Sequence, residues 1–349
     1  MKFIFDAKKI SSESSSSKAR CDVTKILEKC GYKIEYINER ETSKKIDLIK
    51  NINFCYKQIK NRLSEIECNS TVLFQYPFDS LSYKFSKLIK KYATKKSLKT
   101  IVLIHDINTL RTSSVFGKMY YKLIVNEVKF LNNFDYIIAH NNKMKNFLVN
   151  NGIDSKKIVE LGIFDYLVSS YPKNNNYDYK SVTIAGNLDI NKAGYVYQLN
   201  NLYIKNYKIK LMGINYSGNE SEKIKFYGSF DSTDLDDFKA SGFGLVWDGN
   251  DYKTCNGGFG NYLKFNNPHK ISLYLASGIP VIVWSESALA DFVEQNKIGF
   301  TITSLDELDT IFESMTKEDY QIYLKNVKTI QKRVTNGNFL REALKKCGD

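Results

Sequence analysis

Four short stretches carry residue types suited to polar chemistry. Asn266-Asn267-Pro268-His269-Lys270 runs straight into the apolar stretch Ile271-Ser272-Leu273-Tyr274-Leu275-Ala276. Proline suits the first helical turn, where its missing N–H is no loss, so a helix is expected over His269–Ala276, ended by Gly278. A lysine in that first turn opposes the helix dipole unless an anion sits there. The pair therefore suits a diphosphate, with Lys270 as counter-charge and His269 as a hydrogen-bond donor. A solvated lysine beside a capping histidine is the other reading.

A second stretch, Ile184-Ala185-Gly186-Asn187-Leu188, reads as a strand ending in Gly-Asn, with a helix opening at about Lys192. Gly186 would let the backbone approach a ligand and Lys192 could meet a phosphate; a plain turn bearing an exposed lysine is the alternative. The third is Leu103-Ile104-His105-Asp106, a buried strand running into an imidazole and a carboxylate. One of these could take a proton from a hydroxyl while the other orients it, with Asp106 preferred and His105 second; a satisfied structural histidine is the competing reading. The fourth is the serine loop Ser11–Ser17 followed by Lys18-Ala19-Arg20-Cys21-Asp22. Its small residues, Ser15 and Ser16 among them, could close over an acceptor, with Ser17 capping the next helix and Lys18 and Arg20 facing the cleft; a disordered serine loop is the alternative.

Such residues need a scaffold that brings loop ends together. Short apolar runs at Lys2–Phe5, Lys33–Ile37, Thr71–Tyr76, Thr100–His105, Tyr136–Ala139 and Ile158–Leu161 alternate with helical periodicity, which reads as a doubly wound parallel sheet. The pattern dissolves near Ser169–Asn176 and restarts at Ser181–Ala185. Strands are then expected at Lys208–Met212, Ile224–Tyr227, Gly244–Trp247 and Pro280–Val283, and helices at Leu235–Ala240, His269–Ala276 and Leu289–Gln295. The organisation expected is an N-terminal Rossmann-like domain (1–170), a C-terminal one (171–316) and basic helices (317–349) that return to the domain interface. In open parallel sheets, ligands bind beyond the carboxyl ends of the strands, where all four stretches fall.

The 349 residues are 43% hydrophobic, enough for two cores, and 51 basic against 38 acidic residues give a net charge of +13, which favours an anionic partner. The six cysteines form no C-x-x-C pair, and with three histidines they offer no metal site of familiar spacing. No segment resembles a signal peptide or a membrane span, so a cytoplasmic protein is expected, with attachment to the inner face of the cell membrane left open. No Walker loop, G-x-G-x-x-G fingerprint, nucleophile elbow or H-E-x-x-H helix is present. Aromatic and basic residues are not interleaved as in an RNA-binding sheet, which weighs against nucleic acid.

Taken together, Pro268-x-Lys270 followed by Tyr274-Leu275-Ala276-x-Gly278-x-Pro280-Val281-Ile282 resembles the donor-site segment of bacterial GT-B glycosyltransferases. Ser17-Lys18-Ala19-Arg20-x-Asp22, Ile104-His105-Asp106-x-Asn108-x-Leu110-Arg111, Gly186-Asn187-Leu188, Gly242-Phe243-Gly244-Leu245-Val246-Trp247 and Asn266–Lys270 resemble one family among them. That family includes β-1,6-galactofuranosyltransferases and the second glucosyltransferase of streptococcal serine-rich adhesin glycosylation. The resemblance implies a GT-B fold of two Rossmann-like domains facing a central cleft and a UDP-sugar donor, with UDP-galactofuranose preferred over UDP-glucose. It also implies no required metal or cofactor, self-association, and a glycan, lipid-linked or glycoprotein acceptor. By the same resemblance Lys270 and Lys192 would bind the diphosphate, Gly186 and Asn187 would line the donor site with Tyr262 beside it, and the loop Ser15–Arg20 would shape the acceptor side. Where many GT-B enzymes carry a ribose-binding glutamate this chain has Leu273, and the retaining E-x7-E pattern is missing, so inversion is expected. A non-catalytic sugar-nucleotide or glycoprotein-binding subunit is the alternative from a different class.

Overall fold

A computed structural model describes residues 1–9, 18–40, 45–77, 83–111, 117–172 and 178–349. Ser15, Ser16 and Ser17 lie outside the described residues, as does part of the expected link at 169–176. The chain divides into two compact units: most residues up to Leu161 together with Leu340–Asp349, and Gly162–Phe339.

The first unit carries β1 (Lys2–Lys9), α1 (Lys18–Lys29), β2 (Lys33–Glu39), α2 (Lys45–Glu65), β3 (Thr71–Tyr76), α3 (Tyr83–Lys96), β4 (Lys99–Ile104), α4 (Asn108–Arg111), α5 (Gly117–Leu131), β5 (Tyr136–Ala139), α6 (Asn142–Asn150) and β6 (Ile158–Glu160). Its strands form one parallel sheet in the order β2-β1-β3-β4-β5-β6. β3 and β4 are buried from their second residue onward, the continuous apolar reading expected of a strand covered on both faces. Phe5 of β1 stacks on Phe74 of β3 at 4.6 Å, tying the central strands.

The second unit contributes β7 (Ser181–Asn187), β8 (Lys208–Ile214), β9 (Ile224–Phe226), β10 (Phe243–Val246), α7 (Gly257–Tyr262), α8 (His269–Ala276), β11 (Val281–Trp284), α9 (Ala290–Asn296), β12 (Gly299–Ile302), α10 (Leu308–Ser314) and α11 (Lys317–Thr335). Its sheet is also parallel, ordered β12-β11-β10-β7-β8-β9. Relative to β7 this is the doubly wound order whose direction reverses between β7 and β10, the switch point at which ligands bind. Two glycines allow unusually close approaches in this sheet, one to a backbone and one to a ring. A Cβ on Gly213 would lie 1.8 Å from the Gly186 carbonyl oxygen, and one on Gly244 would lie 2.1 Å from the Tyr274 ring. The last helix, α12 (Asn338–Lys346), leads to a C-terminus seated on the first unit, where Asp349 accepts from Lys2 Nζ at 2.9 Å and Tyr32 Oη at 2.7 Å.

Three expectations differ from this structure. Residues 235–240 are not helical; Asp231 Oδ1 accepts from the Thr233 N–H and Asp234 Oδ1 from the Asp236 N–H, so local side-chain turns take the backbone groups a helix would use. The helix expected to open at about Lys192 is instead a turn followed by a 3-10 helix at Gly194–Asn201. β12 is a further strand, too short and too mixed to stand out by pattern.

Candidate active site

The switch point of the second sheet gathers three loops. β7 ends in Gly186-Asn187, with Gly186 at φ +122. The Asn187 side chain holds the loop that follows, accepting from the Asp189 N–H at 3.0 Å and from Asn215 Nδ2 at 3.1 Å. Lys192, half-buried, lies beyond this turn. Its carbonyl accepts from the Gly249 N–H and the Gly249 carbonyl accepts from the Tyr195 N–H, both at 3.2 Å, so the loops after β7 and β10 are zipped together. Tyr274, wholly buried, reinforces the pair: its hydroxyl accepts from the Ala185 N–H at 2.8 Å and lies 3.2 Å from the Leu245 carbonyl, to which it donates. That hydroxyl spans from β7 to β10, and the stripped-down Gly244 makes room for its ring.

The third element is α8, which begins as the sequence requires, with Pro268 in extended backbone at its N-cap. Lys270 is turned to the end of β10. Its Nζ donates to the Trp247 carbonyl at 2.9 Å and to Asp248 Oδ1 at 2.8 Å, with only 16% of the lysine side chain and 9% of the aspartate exposed. The awkward lysine at a helix start thus has a countercharge in the protein itself. Asp248 was not singled out from sequence, although it follows a buried strand just as Asp106 does, and that placement was the available signal.

His269 and its neighbours face elsewhere. The His269 ring stacks on Tyr166 at 4.8 Å and its Nε2 lies 3.3 Å from the Asp165 carbonyl. Asn267 Nδ2 donates to the Gly162 carbonyl at 2.6 Å, and Ser272 Oγ donates to the Phe164 carbonyl at the same distance. The motif is therefore two-sided: Lys270 serves the switch point, while Asn267, His269 and Ser272 grip residues 162–166, where the second unit begins. Tyr262 is buried at the end of α7, and Asn266 Oδ1 nearby is a buried acceptor without a hydrogen-bond partner.

In the first unit, a chain of buried polar groups runs across the carboxyl edge from β1 to β4. Thr24 Oγ1 donates to Asp6 Oδ2 at 2.9 Å, Gln75 Nε2 donates to Thr24 Oγ1 at 2.9 Å, and Gln75 Oε1 lies 2.6 Å from His105 Nε2. With Thr24 donating to the carboxylate, Gln75 must donate to Thr24 and present its oxygen to His105, which places a proton on His105 Nε2. Burial pushes the Asp6 carboxyl up, opposed by Arg20 at 3.6 Å and by the Thr24 and Ala7 hydrogen bonds. Asp106 follows on the same strand end, half-buried like His105. Lys18 pairs with Asp22, and burial lowers the lysine's pKa; Arg20 also donates to the Pro77 carbonyl. Both cations thus have partners within their own unit. Asp6, Thr24 and Gln75 were missed from sequence because only folding brings β1, α1 and β3 together. His140 is fully buried and held neutral, its pKa lowered to about 4, with Nε2 3.0 Å from the Ile104 carbonyl. Among the described residues no cluster of His, Cys, Asp and Glu could hold a metal ion, and no helix is long and apolar enough to cross a membrane.

A lysine and glycine-containing loops at the switch point of the second sheet, and an imidazole and a carboxylate at the carboxyl edge of β4 in the first, are features of a group-transfer enzyme. The relatives agree. Residues 1–163 match the Glucosyltransferase 3-like N-terminal domain and residues 182–347 the corresponding C-terminal domain. The chain is 34% identical over 291 residues to the β-1,6-galactofuranosyltransferase WbbI of Escherichia coli K12, covering 82% of each protein. It is 24% identical over 350 residues to Glucosyltransferase 3 of Streptococcus gordonii, covering 96% of this chain and 94% of that one. Its fold is that of GT-B enzymes: sucrose-phosphate synthase from Thermosynechococcus elongatus superposes with a TM-score of 0.62 at 12% identity, over 99% of this chain and 97% of the other. The chain belongs to the Glucosyltransferase 3-like family of glycosyltransferases.

Proposed function

We propose that this protein transfers a hexose from a UDP-sugar to a glycan, lipid-linked or glycoprotein acceptor, with UDP-galactofuranose the first donor and UDP-glucose the next. The observation that carries this reading is Lys270, held by Trp247 and Asp248 at the switch point between β7 and β10, where the Lys192 loop also arrives. A diphosphate there would be met by the Lys270 ammonium, with Lys192 as a second cation and Gly186 leaving room for the nucleotide sugar. Charge neutralisation by lysines and backbone amides makes a divalent cation unnecessary. The preference for galactofuranose rests on the closer likeness to WbbI, at 34% against 24% identity for the streptococcal enzyme.

Transfer needs a proton taken from the acceptor hydroxyl as its oxygen attacks the anomeric carbon. Asp106 and His105 are the candidate bases, with inversion the outcome of a single displacement. Association into homo-oligomers and docking at the cytoplasmic membrane face complete the proposal. The deciding experiment is a thermal-shift panel of UDP-sugars followed by measurement of UDP release in buffer containing EDTA. One UDP-hexose that both stabilises the protein and is slowly hydrolysed supports the reading. Binding without any turnover would identify a non-catalytic subunit instead, and dependence on added manganese would overturn the metal-independent chemistry.

A further inference from the structure

The Lys270–Asp248 pair raises a chemical conflict. An ammonium intended for a diphosphate is already satisfied by a carboxylate at 2.8 Å, and both side chains are largely buried. Asp248 is fixed there by its backbone. Its neighbour Gly249 is hydrogen-bonded on both sides, donating to the Lys192 carbonyl and accepting from the Tyr195 N–H. A Cβ on Gly249 would lie 2.4 Å from the Asn256 carbonyl, and one on Gly260 2.9 Å from the Asp248 carbonyl, so the loop has little room to carry the carboxylate away. The side chains close to Asp248 that feel its charge are Tyr195, Tyr274 and Cys255, all buried and neutral, with pKa values raised first by burial and further by that charge. Lys270 is the cation paired with it.

We propose that Asp248 is a built-in competitor of the donor's diphosphate: it holds Lys270 aimed at the switch point, and yields the ammonium to phosphate oxygens when the donor binds. This rests on the reading of Lys270 as the diphosphate ligand. The consequence is a donor site tuned below its attainable affinity. An anion entering the site must displace one carboxylate from the lysine and then sit beside it, and after transfer the same carboxylate recovers Lys270 and helps expel UDP. A purely positioning carboxylate would act in the opposite sense, since its loss would let the lysine wander and weaken binding.

Calorimetric titration of wild type, Asp248→Asn, Asp248→Ser and Lys270→Ala with UDP, UMP and uridine separates these cases. Asp248→Asn keeps the shape and a hydrogen-bond acceptor for Lys270 while removing the charge. It is expected to tighten UDP by about tenfold or more, with a smaller gain for UMP and none for uridine, whereas Lys270→Ala weakens UDP and leaves uridine unchanged. Weaker or unchanged UDP binding in the folded aspartate variants overturns the competitor role. Unchanged UDP binding in Lys270→Ala overturns the diphosphate reading itself, so the two failures are distinct. If neither aspartate variant folds, a crystal structure of the wild-type UDP complex decides. Lys270 Nζ moved from Asp248 onto a phosphate oxygen upholds the proposal, and an ion pair kept at its present length with no phosphate contact ends it.

Discussion

Replacing Lys270 by alanine should have two effects that can be separated. The ion pair lies at 2.8 Å with 16% and 9% of its side chains exposed, so Coulomb's law at an effective dielectric near 20 gives a gross attraction of about 6 kcal/mol. Most of this is offset by the desolvation of both ions. What the variant loses is set by the partner left behind: an uncompensated carboxylate buried among Tyr195, Tyr274 and Cys255 costs about 3 kcal/mol. For a unit of this size that lowers the melting midpoint by roughly 6–12 °C. Asp248→Asn combined with Lys270→Ala removes the stranded charge and should recover most of the loss. Stabilisation by UDP, about 2.7 kcal/mol at a hundred-fold excess over Kd, should be largely missing from Lys270→Ala, and the double variant, freed of the carboxylate, should regain only part of it. Differential scanning calorimetry with and without UDP reads both effects. A single variant that melts within about 1 °C of wild type would mean that water already solvates Asp248 and that the burial argument fails. A Lys270→Ala variant that keeps the wild-type UDP shift would refute Lys270 as the diphosphate ligand.

Burial of His140 makes stability depend on pH. Its folded pKa of about 4 lies below the unfolded value near 6.5, so the neutral form is favoured by folding. That contribution is present above about pH 6.5 and is lost as the pH falls towards 4, by up to about 3 kcal/mol; urea midpoints across this range should flatten in His140→Gln. Gly244→Ala places a methyl group within the Tyr274 ring and should destabilise the second unit by about 2 kcal/mol, measured by urea denaturation, and a fully stable variant would show that β10 can shift. Asp106→Asn is expected to keep UDP affinity near wild type while lowering transfer by about 10²–10⁴-fold in initial-rate assays. If Asp106→Asn transfers normally and His105→Ala does not, His105 is the base, and activity in both variants removes both residues from that role.

The legible part of this protein was whatever depends on local pattern. Continuous apolar runs bounded by polar residues gave the first-unit strands to within a residue or two at most ends, since a strand buried on both faces has no reason to alternate. Pro268 and Gly278 bracketed α8 because each suits the backbone at one helix end and not the other. Residues 235–240 show where such patterning fails. Leu235 and Phe238 are buried at helical spacing, but Asp231 and Asp234 hold the chain in turns, so burial is met without a helix. The chemical roles were less legible for a related reason. A residue type and its place at a strand end limit what it can do, but its partner decides what it does, and the partners here are remote in sequence. His269 reads in sequence as a hydrogen-bond donor, and the ring it stacks on, Tyr166, lies 103 positions earlier. His105 gains its tautomer from Gln75 and Thr24, and Lys270 its countercharge from Asp248. The same strand-end rule that points to His105 and Asp106 also covers Asp248, which follows the apolar run of β10. Any acid that follows a buried parallel strand, and not only one beside a histidine, lies where such sheets bind ligands, and Asp248 meets that condition on sequence alone.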